Sequence, residues 1–104
     1  MALIVVATIV PVPEHRDAVI EALEAAEDQV HAAEDGCLLY ALHEGPDGRL
    51  VMIEKYTDQA AFDAHGKGDA LARLGAALRG KLAGPLDVQV LTPHPAGSAG
   101  KGAL

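Results

Sequence analysis

A carboxylate, a phenol and an imidazole near the middle of the chain have types and spacings that could do acid–base chemistry. Glu54 and Tyr56 lie two residues apart in the run Leu50 to Tyr56, so an extended backbone puts both on the side that also carries Leu50 and Met52. A carboxylate on such an apolar surface needs a hydrogen-bond partner or a raised pKa. His65 follows Phe62 by three residues and Ala61 by four, the spacing of one helical face, which turns its ring inward with them. A histidine there is suited to general-base work near neutral pH. The competing expectation is that Glu54 merely satisfies a neighbouring hydroxyl or backbone N–H.

Other chemistry-bearing residues are less promising. Tyr40 and His43 fall on opposite sides of one extended run and cannot share a pocket, while His15, His31 and His94 read as exposed and lack ligand spacing. Cys37 follows Gly36 at a strand start with no basic neighbours, which favours a structural thiol over a reactive one. The single serine, Ser98, lies in the Gly-rich C-terminal stretch and cannot serve as a nucleophile in the folded part. No zinc cluster, P-loop, dinucleotide fingerprint or HExxH motif occurs, and Gly66-Lys67-Gly68 lacks the length and hydroxyl of a phosphate loop. No cofactor or metal is expected.

The elements that must position these groups follow from periodicity. Leu3 to Val10, rich in β-branched residues, reads as a strand stopped by Pro11 and Pro13. From Glu14 the period changes, and Val19, Leu23, Ala26, Val30 and Ala33 form the apolar stripe of a helix whose outer face carries Glu21, Glu24, Asp28 and His31, with Gly36 as its end. Leu38 to Glu44 and Leu50 to Tyr56 make a hairpin around Gly45-Pro46-Asp47-Gly48. Thr57 is the expected cap of a short helix running from Asp58 to about His65, and Asp69 that of a further helix with the stripe Leu71, Leu74, Leu78 and Leu82, ended by Gly84 and Pro85. Leu86 to Leu91 supplies the last strand, and residues 93–104 are expected to form a disordered tail behind a single domain of residues 1–92.

The order β-α-β-β-α-β points to an α+β, ferredoxin-like fold with both helical segments on one face of an antiparallel sheet. The strands are apolar on both sides: Leu38, Tyr40 and Leu42 oppose Leu39, Ala41 and His43, and Leu3, Val5 and Ile9 oppose Ile4, Val6 and Val10. Helices cover one face only, so a second copy is expected on the other, giving a homodimer. Aromatic residues are only 3% of the 104, so the core is built from smaller side chains and association would help it. A net charge of −7 without a basic run argues against nucleic acid. The run from Leu3 to Val10 is too short to span a membrane and lacks the flanks of a signal peptide, and with one cysteine a cytoplasmic location is expected.

Three runs together resemble the antibiotic-biosynthesis monooxygenase family. Gly36-Cys37-Leu38-Leu39-Tyr40 looks like its G-C-x-x-Y strand opening, Ile53-Glu54-Lys55-Tyr56 like its E-x-W/Y strand end, and Ala61-Phe62-Asp63-Ala64-His65 like its A-x-x-A-H helix. The resemblance implies a dimeric ferredoxin-like protein with a pocket between sheet and helices, and by position it gives the pocket roles to His65, Glu54 and Tyr56. Tyr40, Phe62 and Leu71 are expected to contact substrate. Two departures stand out: the family's second histidine would fall near Asp69 and Ala70, and the haem-degrading branch's Asn, Trp and later His fall near Ala7, Tyr56 and Gly75.

The reaction that the resemblance implies is a cofactor-independent monooxygenation of a quinol or phenolic, polyketide-like small molecule by dioxygen. In it His65, with Glu54 as its expected holder, removes a hydroxyl proton and Tyr56 orients the substrate. Two other readings remain open. One is an isomerase or lyase using the same groups on a small carbonyl metabolite, which would consume no oxygen. The other is a non-catalytic, ligand-binding dimer module, which would bind without turnover.

Overall fold

The computed structural model describes all 104 residues. Four strands, β1 (Leu3–Ile9), β2 (Cys37–Glu44), β3 (Leu50–Tyr56) and β4 (Asp87–Leu91), form one sheet in the order β2-β3-β1-β4 with every neighbouring pair antiparallel. Helix α1 (Arg16–Ala33), entered through a 3-10 turn at Pro13–His15, links β1 to β2, while α2 (Gln59–Gly66) and α3 (Asp69–Leu78) link β3 to β4. This is the split βαβ arrangement anticipated from the order of elements.

The core lies between the sheet and α1 and α3. It joins Ala7, Ile9, Leu50, Met52 and Tyr40 from the strands to Val19, Leu23, Ala26 and Val30 of α1 and to Ala70, Leu74 and Leu78 of α3. Arg16 fixes the start of α1 against the β2–β3 hairpin, donating to the Gly48 carbonyl at 2.7 Å and to Glu44 Oε1 at 2.6 Å. The hairpin turn itself uses Gly48 at a φ of 87°, a conformation that favours glycine.

Several local expectations need correction. Asp58, not Thr57, caps α2, its Oδ1 accepting the Ala61 N–H at 2.9 Å. A residue in extended backbone with a short acceptor suits that role, and Asp58 sits one step nearer the first turn. Gly68 precedes α3, and Asp69 is its first helical residue rather than its cap. The same helix stops at Leu78, four residues early, because Arg79 turns extended and Gly80 takes a φ of 76°. Leu82 still packs on the core, but from an extended segment bridged to Pro11.

The pattern of β2 also shifts. A bulge between Cys37 and Leu39 places Cys37, with Tyr40 and Leu42, on the helix-facing side and leaves Leu38 56% exposed. On α1 the stripe ends not with Ala33, which is exposed, but with half-buried Glu34. The opposite sheet face carries Ile4, Val6, Leu39, Ala41, Val51 and Ile53, with no helix over it. Residues 93–104 contain no helix or strand, and Lys55 Nζ donates to the Leu104 carbonyl at 2.6 Å. No helix is long and apolar enough to cross a membrane.

Candidate active site

Alternation along β3 brings Glu54 and Tyr56 to the helix-facing side, and pairing in register brings Tyr40 of β2 opposite Glu54. The Tyr56 hydroxyl donates to Glu54 Oε1 at 2.6 Å in the fully buried layer. Glu54 is 5% exposed, and burial raises its pKa above the usual carboxylate range; the Tyr56 hydrogen bond and the nearby His65 partly oppose that rise.

His65 enters from the last turn of α2, whose eight residues place it just before the chain leaves for α3. Its ring is 5% exposed and packs at 5.4 Å from the Tyr40 ring and 5.5 Å from the Tyr56 ring, while Phe62, one turn earlier, lies 5.3 Å from Tyr56. Its Nδ1 lies 2.7 Å from Glu34 Oε1. The expected partner, Glu54, is therefore replaced by Glu34, because the Glu54 oxygen is already engaged by Tyr56.

Glu34 is held firmly at the end of α1. Its N–H donates to the Val30 carbonyl and its own carbonyl accepts the Cys37 N–H, both at 3.0 Å. Sequence reasoning missed this residue although a signal existed: Glu34 lies four residues beyond Val30, so one more turn of the buried stripe reaches a carboxylate. With Nδ1 engaged by the Glu34 carboxyl, Nε2 is the ring nitrogen left to exchange a proton with a ligand. No protein group engages Nε2, and no fully buried side-chain nitrogen or oxygen lacks a partner, so Nε2 is an accessible atom of a ring that lines a cavity.

That cavity has a volume of about 150 Å³. Val5, Ala7, Ile9 and Met52 form its floor, and Leu23, Phe62 and Leu71 come from the helices. Leu86 and Val88, 41% and 50% exposed, stand at the rim, Leu86 just before β4 and Val88 within it, where no helix covers the strand. Its polar side chains are Tyr40, Glu54 and His65. Of the residues singled out from sequence, His65, Glu54, Tyr40, Phe62 and Leu71 thus border one space. Tyr56 does not: it is fully buried behind Glu54, so the expected contact between its hydroxyl and a substrate gives way to support of that carboxyl.

The remaining candidates lie apart. The Cys37 Sγ donates to the Leu39 carbonyl at 3.3 Å, and burial pushes its thiol up to about 11, the setting of an unreactive cysteine. His31, though exposed, has Nε2 at 2.9 Å from the Tyr40 carbonyl and so ties α1 to β2. Nowhere do three or more His, Cys, Asp or Glu side chains converge as metal ligands would.

A family profile described as antibiotic biosynthesis monooxygenase matches residues 2–77. Rv0793 of Mycobacterium tuberculosis, a protein that carries a monooxygenase name only provisionally, is 35% identical over 96 residues, covering 91% of this chain and 94% of its own. The solved structure of Rv0793 superimposes with a TM-score of 0.87 at 33% identity, covering 94% of this chain and 100% of that one. A Caulobacter crescentus CB15 structure provisionally named for the same family gives 0.82 at 28% identity, covering 86% and 87% of the two chains. PA3566 from Pseudomonas aeruginosa gives 0.78 at 29% identity, with coverage of 86% and 91%. With a profile match over most of its length and a relative this similar, the chain belongs to the antibiotic biosynthesis monooxygenase family.

Proposed function

We propose that the protein is a cofactor-independent monooxygenase of a small phenol or quinol, with His65 as the general base. The observation that carries this reading is His65 on the wall of an apolar cavity with its Nδ1 2.7 Å from Glu34 Oε1 behind it. A carboxylate on Nδ1 fixes the ring's tautomer and stabilises the imidazolium that forms when Nε2 takes a proton. The substrate hydroxyl gives that proton to Nε2. The resulting phenolate passes one electron to dioxygen, and the two radicals combine to form a carbon–oxygen bond. Cleavage of the oxygen–oxygen bond then releases water as His65 returns its proton. For a hydroquinone the balance closes: two hydrogens leave the ring, one oxygen atom enters it and the other departs as water, giving a hydroxyquinone.

The supporting groups divide the work. Glu54, fixed by Tyr56, offers a carboxyl for a second hydroxyl, and Tyr40 and Phe62 flank the ring. Two copies paired through the uncovered sheet face complete this reading, in a reducing cytoplasm where Cys37 stays a thiol. The test is oxygen uptake with a panel of phenols and quinols under ¹⁸O₂, in chelator-treated protein, with an enzyme-free control for autoxidation. One labelled oxygen in the product supports the assignment. A carbonyl substrate isomerised with no oxygen uptake would give the site to the isomerase reading instead.

A further inference from the structure

The same cavity carries information about which hydroxylated rings it takes, an inference that rests on the phenol or quinol reading above. No lysine or arginine lines it. The one group there that becomes cationic, His65, is already bonded to Glu34, and the wall's own acidic side chain is Glu54. A carboxylate or phosphate on the ligand would leave water for an apolar space with no free counter-charge, and the acidic side chain it met there would be Glu54. Size narrows the choice further. An apolar cavity of about 150 Å³ accommodates a benzene-sized ring. A second fused ring that did not project past the rim at Leu86 and Val88 would have to displace the wall, and the tightly packed floor of Val5 and Met52, each 1% exposed, cannot yield. Leu71, half-buried, is the one wall residue that α3 supplies, so the wall on that side depends on its side chain.

We infer that the site selects an uncharged, single-ring hydroxyarene, that it turns away carboxylated and phosphorylated counterparts, and that Leu71 sets the limit of one ring. Truncating Leu71 enlarges the cavity from its half-exposed side and leaves Glu34, His65, Glu54 and Tyr56 in place.

The experiment measures binding without dioxygen, so that it is independent of turnover. Hydroquinone, 2,5-dihydroxybenzoate and 1,4-naphthohydroquinone are titrated into the parent and into Leu71→Ala, with the Met52 methyl resonance reporting occupancy of the cavity. In the parent, hydroquinone is expected to shift Met52, while the benzoate binds at least about a hundredfold more weakly. The fused ring is expected to bind Leu71→Ala about tenfold or more tightly than it binds the parent; if that variant does not fold, Leu71→Val gives the same direction with a smaller gain. Benzoate binding within about threefold of hydroquinone, equal binding of the fused ring to the parent, or no Met52 shift with hydroquinone would each overturn the inference. Hydroquinone that binds as described but consumes no oxygen would sink the oxygenase reading and leave this selectivity standing.

Discussion

Glu54 is the residue at which the site strains against stability. Its pKa is raised, so the folded state holds the proton more tightly than the unfolded chain does, and its contribution is most favourable below the ordinary value of 4.5. That contribution is lost as pH rises from 4.5 through the raised folded value. Glu54→Gln keeps an acceptor for Tyr56 and never ionises, so denaturant midpoints should favour the variant increasingly as pH climbs through that window; a gap independent of pH would contradict the burial argument. Tyr56→Phe acts the other way, since it removes the donor and leaves a buried carboxyl unpaired, and it should cost about 1–3 kcal/mol in chemical denaturation. Both tyrosines are themselves shifted upward from 10.0, Tyr40 by burial and then by the carboxylates of Glu54 and Glu34, Tyr56 by burial and by its bond to Glu54. The chain has no tryptophan and only these two tyrosines, so ultraviolet titration reads them alone. No tyrosinate should form near pH 10 until the protein unfolds, and a normal titration of the folded protein would refute the buried placement. Glu54, Tyr56 and His65 were legible from strand and helix spacing. Their pairing was not, because which carboxylate reaches the imidazole depends on where the end of α1 meets α2, a contact between residues 31 positions apart.

The start of β2 and the middle of α2 approach so closely that a Cβ on residue 36 would lie 2.6 Å from the Ala61 Cβ. That methyl has no rotamer to escape into, so Gly36→Ala should push α2, and with it His65, away from the sheet at a cost of about 1–3 kcal/mol. Thermal unfolding measures the cost, and a variant as stable as the parent would show that the approach is looser than described. This contact explains why glycine stands there, whereas the sequence suggested only a helix terminator. Strand and helix identities were readable because β-branched runs and a 3.6-residue stripe differ plainly in period. Boundaries were less so. The shortened α3 and the bulge in β2 arise from tertiary fit: Leu82 remains in the core while extended, and Cys37 takes the inward place that simple alternation gives to Leu38.

At the scale of the molecule, the helices bury one face of the sheet and leave Val6, Leu39, Ala41 and Ile53 on the other half-buried at most. Sedimentation at micromolar concentration should therefore give a dimer, and a variant with a charge in the middle of that face, Ile53→Lys, should shift it toward monomer; a monomeric parent would contradict this use of the face. The two-sided apolar pattern was visible in the strands, but the open rim at Leu86 and Val88 was not, because it follows from β4 lying beyond the reach of the helices. The pair most exposed to disproof remains Glu34 and His65, since the whole chemical reading passes through that imidazole. The direct measurement is oxygen uptake by the parent and by His65→Ala on the phenol or quinol that the parent turns over fastest, with enzyme-free autoxidation subtracted at each pH. The account predicts that His65→Ala loses roughly a hundredfold or more of the parent's rate while keeping its fold, and a variant that consumes oxygen as fast as the parent would contradict it.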